Sequence, residues 1–173
     1  MNPKIIAFAI EAHQKTNHLY DGHPYSVHLA MVVSYAYKYI SCIPDSVHDL
    51  VISSCWLHDT IEDCRLTYNG IKEVAGQEVA EIVYAVSNEK GKNRSERANE
   101  KYYEGIRQTP WAKYVKLCDR IANIKYSKDI NSNMLEVYKK EHAHFIKSIF
   151  DAEFAKKHYE PLINEMNLLL SSD

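Results

Sequence analysis

The sequence has few glycines and prolines and no long apolar segment. Its 173 residues include five Gly and five Pro, with no internal repeat or low-complexity tract. No stretch reaches the roughly 20 apolar residues that a membrane-spanning helix needs. The first residues, MNPKIIAFAIEAHQ, reach Glu11 and His13 after only a short apolar stretch, which is not the pattern of a signal peptide. We therefore expect no membrane association.

The sequence also lacks an excess of basic residues and any C-x-x-C pair. A net charge of −2 gives no overall basic field to attract nucleic acid. The four cysteines lie far apart, which favours free thiols in a reducing cytoplasm over disulfides; they are Cys42, Cys55, Cys64 and Cys118. We therefore predict a cytoplasmic protein with no nucleic-acid partner.

Apolar residues recur at helical spacing over most of the chain, and no segment alternates with a period of two. A hydrophobic content of 46% over this length suits one compact domain. The predicted helices span about 3–17, 25–40, 46–61, 67–76, 77–87, 111–126, 132–150 and 152–170. Between them, 18–24 is predicted as a loop and the charged segment 88–101 as a loop that leads into a helix, while Pro161 is predicted as a break. The expected fold class is all-α, with a single core.

Residues 55–63, CWLHDTIED, place four ionisable groups at the end of an apolar segment. On a continuous helix, residues four apart share a face, so His58 would lie below Glu62 and Asp59 below Asp63. Half-buried like charges are costly unless a bound cation compensates them. Taken alone, the nine residues are better explained as a solvated helix end that carries a few surface acids.

Two distant segments favour the metal interpretation. The segment PYSVH places His28 one turn into an apolar helix, and VKLCDRIANI places Asp119 in the middle of another. Three separate helices therefore each contribute a polar group that is hard to explain in a core. Two imidazoles and two carboxylates suit Mn²⁺ or Fe²⁺, with water completing the coordination.

Four short strings in order resemble the HD superfamily of metal-dependent phosphohydrolases. They are AH at 12–13, GHPYSVH at 22–28, LHDTIED at 57–63 and KLCDRIAN at 116–123. The match is most similar to the hydrolase domain of the RelA/SpoT family and its small stand-alone homologues. The resemblance implies a single HD-type helical bundle over 1–173, with its motifs in about 5–140 and C-terminal helices in 141–173.

The resemblance also implies a site and an activity. The ligands of one Mn²⁺ would be His28, His58, Asp59 and Asp119, with Fe²⁺ or another divalent ion as the alternative. Glu62 and Asp63 match the pair that acts on the attacking water. The implied reaction removes the 3′-pyrophosphate of ppGpp and pppGpp, so the expected partner is a small-molecule nucleotide. The oligomeric state stays open.

The nucleotide pocket is where the sequence departs from the family. The resemblance places Arg94, and then Lys92, on the phosphates, although a solvated polar segment explains these residues equally well. Asn123 and Tyr138 match family residues near the nucleotide. The usual Arg-Lys pair before the first metal histidine is replaced by Leu19 and Tyr20, of which Tyr20 could stack on a base. Two alternatives therefore stand beside the guanosine alarmones. One is another phosphorylated nucleotide (an adenosine alarmone, a nicotinamide dinucleotide phosphate or a deoxynucleotide), and the other is a non-catalytic nucleotide-binding module.

Overall fold

The computed structural model describes residues 2–87, 89–151 and 156–171, and these residues form a helical bundle. The helices are α1 Pro3–Lys15, α2 Ser26–Lys38, α3 His48–Leu57, α4 Thr60–Cys64, α5 Tyr68–Ala75, α6 Gln77–Val86, α7 Arg94–Arg97, α8 Glu100–Gln108, α9 Ala112–Asp129, α10 Met134–Ile149 and α11 Glu160–Ser171. The predicted all-α class is confirmed. No helix in the described ranges combines the length and the apolar character that crossing a membrane requires.

Helix α9 lies at the centre of the bundle and packs against α2, α3, α6, α8, α10 and α11. Its apolar residues are almost completely buried; they include Tyr114, Leu117, Ile121 and Ile124. Burying a side chain of this size contributes roughly 1.5–3 kcal/mol. The helix therefore holds any polar group on its inner face in a fixed, dry position.

Buried apolar side chains form two groups. The larger surrounds α9, and the smaller joins α1, α5 and α6 to the start of α2 and the end of α3. Leu50 and Trp56 of α3 pack against both groups. Helix α3 therefore lies between the two groups, and it ends at Leu57.

The predicted loop at 18–24 contains a short antiparallel hairpin. Strand β1 (Leu19–Tyr20) pairs with β2 (His23–Pro24). The two loop residues, Asp21 and Gly22, have φ of +50° and +80°. An Asp-Gly loop with positive φ at both positions is a favoured two-residue hairpin connection, so this turn follows from the residues that form it.

The single helix predicted over 46–61 was wrong in one respect, because the chain breaks at His58–Asp59 between α3 and α4. The Thr60 hydroxyl donates to the Leu57 carbonyl at 2.6 Å, and the Asp63 amide donates to the Asp59 carbonyl at 2.8 Å. The helical spacing of one turn between Asp59 and Asp63 is therefore kept across the break.

Two smaller predictions can be compared with the structure. The charged segment 88–101 leads into a helix as predicted, because α8 begins at Glu100. It also contains the short helix α7, whose Asn93 side chain caps its first turn. The predicted break at Pro161 is close to the observed one, because the chain turns at 158–159 and Pro161 lies in the first turn of α11. Proline is well tolerated in a first turn. The first part of the helix predicted over 152–170 lies at 152–155, outside the described residues.

Candidate metal centre

Three segments deliver the polar groups that the sequence singles out. His28 lies in the first turn of α2, His58 and Asp59 form the α3–α4 junction, and Asp119 lies midway along α9. The two histidines are each 1% exposed and Asp119 is 6% exposed. Because the surrounding helices are packed through their apolar faces, these groups cannot turn away from one another into solvent.

The ligand atoms of His28, His58 and Asp119 converge to within 4.8 Å of one another. The His28 Nε2 lies 3.3 Å from the His58 Nε2 and 3.3 Å from Asp119 Oδ1, and the His58 Nε2 lies 3.7 Å from the same oxygen. Donors about 2.1 Å from a common ion and at right angles to each other lie about 3 Å apart. The spacing therefore fits neighbouring ligands of one ion.

Asp59 adds a second carboxylate to this group. Its Oδ2 lies 2.8 Å from the His58 Nε2 and 3.5 Å from the His28 Nε2. The same oxygen accepts a hydrogen bond from the Tyr25 hydroxyl at 2.5 Å. Asp59 therefore meets the same two imidazole nitrogens as Asp119, although the ligand atoms that all lie within 4.8 Å of one another belong to His28, His58 and Asp119.

The donor chemistry of His58 tests whether a cation fits. Its Nδ1 lies 2.9 Å from the Cys55 carbonyl, an acceptor that requires Nδ1 to carry the proton. In the neutral ring, the Nε2 then presents a lone pair to the His28 Nε2 and to two carboxylates. Lone pairs on these nitrogen and oxygen atoms repel one another in a buried site unless a cation lies between them. A divalent metal ion fits a donor set of imidazole nitrogens and carboxylate oxygens.

The pKa shifts of His58 and Asp119 also indicate that positive charge is stabilised in the cluster. Burial lowers the pKa of His58, but the neighbouring Asp59 and Asp119 raise it to about 10. Burial opposes ionisation of Asp119, yet Lys116 and the two histidines hold its pKa well below the usual range. The cluster therefore holds cationic charge firmly, whether a proton or a metal ion supplies it.

Two side chains fix Asp119 from outside the cluster. The Lys116 ammonium lies 2.8 Å from its Oδ2, and the Asn123 amide nitrogen donates to its Oδ1 at 2.5 Å. Lys116 is a site residue that the sequence reasoning missed. Its signal was present, because it lies three residues before Asp119 and so on the same face of α9.

The predicted water-activating pair lies beside the cluster. Glu62 and Asp63 both line the cavity above it, and each side chain is 26% exposed. Burial raises the pKa of Asp63 to about 7, helped by the charges of Asp59 and Glu62. The Asp63 Oδ2 is 3.5 Å from the His18 Nδ1. Asp63 can thus gain or lose a proton near neutral pH.

The cavity that opens over the cluster has a volume of about 340 Å³. Of the predicted substrate-binding residues, Arg94, Asn123 and Tyr138 line it. Lys92 lies outside this lining, and its backbone amide donates to Glu96 at 2.8 Å. The cations in the lining are Arg94, Arg97, Lys116 and Arg120.

Glu141 joins two of these cations. Its carboxylate oxygens lie 2.8 Å from the Arg94 Nε and 3.1 Å from the Arg120 Nη1. The Arg120 guanidinium also lies over the Tyr138 ring, 4.4 Å from its centroid. Arg120 therefore braces a carboxylate on the cavity wall, away from the metal ligands. Glu141 could not be identified from the sequence, because it lies in a polar helical segment that resembles any solvent-exposed one.

The sequence is similar to those of known pyrophosphohydrolases. The zebrafish (Danio rerio) guanosine-3′,5′-bis(diphosphate) 3′-pyrophosphohydrolase MESH1 is 30% identical over 125 residues, which are 69% of this chain and 65% of that protein. The Aquifex aeolicus guanosine-3′,5′-bis(diphosphate) 3′-pyrophosphohydrolase is 39% identical over 108 residues, 60% of this chain and 14% of that protein. The chain thus matches just under two thirds of the first relative and a small part of the second.

A solved structure and a family model complete the comparison. The fold resembles that of a metazoan ortholog of SpoT described as hydrolysing ppGpp, with a TM-score of 0.58 over 99% of this chain and 88% of that chain. At 18% identity, this likeness concerns the fold alone. The model of the HD domain family matches residues 6–157. With this match across most of its length, the chain belongs to the HD domain family.

Proposed function

We propose that this chain is a metal-dependent hydrolase that removes the 3′-pyrophosphate of guanosine alarmones such as ppGpp. The observation that carries the proposal is the convergence of His28, His58 and Asp119 from three distant segments, beside a cavity lined by cations. The Asp59 carboxylate lies against both imidazoles. A structural core has no need for this combination of groups, whereas hydrolysis of a phosphate ester uses each of them.

The proposed ligands are His28, His58, Asp59 and Asp119. Two nitrogen and two oxygen donors suit Mn²⁺, and Fe²⁺ has similar preferences. Bound there, such an ion supplies Lewis acidity for attack of water on phosphorus. The Cys55 carbonyl at the Nδ1 of His58 and the Asn123 amide at Asp119 keep their donors aimed at the shared position.

Glu62 and Asp63 are the proposed groups that orient the attacking water and take its proton. Both carboxylates line the cavity next to the cluster, so a water above the cluster lies within their reach. Without the ion, burial and the charges of Asp59 and Glu62 raise the pKa of Asp63 to about 7, so this carboxylate takes up a proton more readily than an ordinary one. His18, 3.5 Å from Asp63, offers the proton a way towards solvent.

The cations of the lining are proposed to bind the phosphates. Lys116 lies against Asp119 and therefore next to the phosphoryl group under attack. Arg94 and Arg97 also line the cavity, and their side chains are 47% and 44% exposed and accessible to a ligand. The Arg97 Nη1 lies 3.9 Å from the Glu62 carboxylate. Arginine binds phosphate through paired hydrogen bonds. Lys92 stays a candidate from the resemblance alone.

The alternative substrate class has its own observation. Leu19 is 55% exposed, and the Tyr20 hydroxyl donates to Asn123. The positions that carry Arg-Lys in the RelA/SpoT family therefore provide no cation here. This departure favours testing adenosine alarmones, nicotinamide dinucleotide phosphates and deoxynucleotides beside the guanosine compounds.

The test is turnover of a nucleotide panel by Mn²⁺-loaded protein, with products resolved by anion-exchange chromatography. We expect pyrophosphate and a guanosine 5′-diphosphate from ppGpp, and no product from the Asp119→Asn variant. Asp45→Asn, at a fully exposed carboxylate, is the matched control and keeps full activity. Turnover of another nucleotide alone would change the substrate, and nucleotide binding without any turnover would favour the non-catalytic module.

We also propose that 1–173 is one HD domain that works in the cytoplasm on small molecules. The two buried groups share Leu50 and Trp56, which supports a single unit. All four cysteines are free thiols, as expected in a reducing compartment.

A further inference from the structure

Tyr20 contacts the proposed metal centre from two sides. Its ring stacks on the imidazole of His28, with centroids 4.7 Å apart and planes 21° from parallel. Its hydroxyl donates to the Asn123 Oδ1 at 3.0 Å. The stacking restricts the ring plane of the proposed ligand His28. The hydrogen bond reaches Asn123, which contacts the proposed ligand Asp119.

Asn123 links the Tyr20 hydroxyl to Asp119 through hydrogen bonds. Its amide nitrogen donates to the Asp119 carbonyl at 3.1 Å and to Asp119 Oδ1 at 2.5 Å. This Oδ1 is the oxygen that faces the His28 Nε2. Because the Tyr20 hydroxyl occupies the amide oxygen, the amide nitrogen is left pointing at the carboxylate. One tyrosine thereby orients a nitrogen ligand and an oxygen ligand of the same proposed centre.

The Tyr20 ring has little surface to offer a nucleotide base. One face lies on His28, the Tyr126 ring lies 4.7 Å away at a tilt of 57°, and Tyr25 meets it edge-on at 5.9 Å. The base-stacking role expected from the sequence requires an open face. The contacts instead favour a role within the protein.

The hairpin holds Tyr20 in this position. Asp21, in its turn, accepts a hydrogen bond from the Tyr126 hydroxyl of α9 at 3.0 Å. The tight Asp21-Gly22 connection fixes β1 against β2. A two-stranded hairpin of this length has little stability of its own, so its contacts with α9 are what keep it in place.

We propose that Tyr20 is a positioning residue of the metal centre and slows the loss of the bound ion. It acts through His28 by stacking and through Asn123 on Asp119. This inference rests on the proposed metal centre. Residues that orient metal ligands in this way typically change metal affinity by about 10–100-fold when they are replaced.

The experiment measures transfer of Mn²⁺ from loaded protein to an excess of a fluorescent chelator, with no nucleotide present. Tyr20→Phe keeps the ring and removes the hydroxyl, and we expect release about 3–10-fold faster than in the wild type. Tyr20→Leu also removes the stacking, and we expect release about 10–100-fold faster. The control Tyr84→Phe alters a tyrosine that is 62% exposed and should change the rate less than twofold.

A second comparison separates positioning from general loosening of the fold. In an Asn123→Ala background, Tyr20→Phe should change the release rate less than twofold, because the hydroxyl no longer has a path to Asp119. Equal effects in both backgrounds, or a Tyr20→Phe rate equal to wild type, would overturn the inference while leaving the metal centre intact. If Tyr20→Leu does not fold, the Phe variant decides. A wild type that retains no Mn²⁺ would overturn this inference and the proposed function together.

Discussion

At the scale of single residues, His58 shows how a site's chemistry follows from its surroundings. Its Nδ1 is committed to a backbone carbonyl, and its Nε2 faces two carboxylates inside the protein. An apolar residue there would pack at little cost, whereas this arrangement requires a cation to be stable. Glu62 and Asp63, one turn further along the chain, line the cavity beside this cluster, and we propose a different role for them.

Glu62→Gln should separate chemistry from metal binding. The amide keeps the size of the side chain but cannot accept a proton, so we expect the rate of ppGpp hydrolysis to fall about 10²–10⁴-fold. Bound Mn²⁺ should stay at the wild-type level, because Glu62 is not one of the four proposed ligands. Steady-state kinetics with metal analysis of the same sample measures both. Loss of the ion from this variant would make Glu62 a ligand.

Asp63→Asn should stabilise the metal-free protein in a pH-dependent way. Burial raises the folded-state pKa of Asp63 to about 7, against an ordinary value near 3.9. Its ionisation therefore costs stability at pH 8, and the cost disappears as the pH falls towards 4. We expect the variant to gain about 1–3 kcal/mol at pH 8 and almost nothing at pH 4.

Denaturant unfolding at the two pH values, in the presence of a chelator, checks this expectation. An equal gain at pH 8 and pH 4 would mean that the ionisation of Asp63 is not the cause.

At the scale of elements, sequence and structure agree where a polar residue interrupts an apolar helix. His28 and Asp119 are conspicuous for this reason, and both lie in the cluster. The break between α3 and α4 was not predictable, because no Gly or Pro marks it. The hairpin has an Asp-Gly turn, which is typical of hairpins. Its strands have only two residues each, too few to show a strand pattern in the sequence.

Contacts between distant elements were the least predictable feature. Glu141 lies 47 residues from Arg94, with which it pairs, and its own neighbourhood in sequence resembles any solvated helix. Lys116 was missed as well, although its pairing with Asp119 on the same turn follows from the helical spacing. Helical spacing thus identifies partners within an element, whereas partners between elements depend on the packing of the whole bundle.

Tyr114→Phe tests the attachment of α9 to α2. Tyr114 is fully buried, and its hydroxyl donates to the Ala36 carbonyl at 2.6 Å. Losing this bond leaves a buried acceptor without its donor, so we expect a loss of about 1–2 kcal/mol in unfolding free energy. Thermal unfolding beside Tyr84→Phe, which should change by less than about 0.5 kcal/mol, gives the comparison. Equal effects would show that the buried bond contributes nothing specific.

At the scale of the whole molecule, the candidate centre lies where the two buried groups meet. His28 and the α3–α4 junction border the smaller group, and Asp119 belongs to the helix at the centre of the larger one. An ion bound by all four ligands therefore ties the two parts together. Binding also adds stability by mass action, about 2.7 kcal/mol at a free concentration 100 times the Kd.

The central claim is that His28, His58, Asp59 and Asp119 bind one divalent ion, and metal analysis of the purified chain after Mn²⁺ loading and removal of excess ion tests it most directly. The account predicts one Mn²⁺ per chain in the wild type and in Glu62→Gln, and less than about a tenth of that when any one of the four ligands is replaced by Ala. A wild type that carries no ion, or four variants that keep it, would contradict the account.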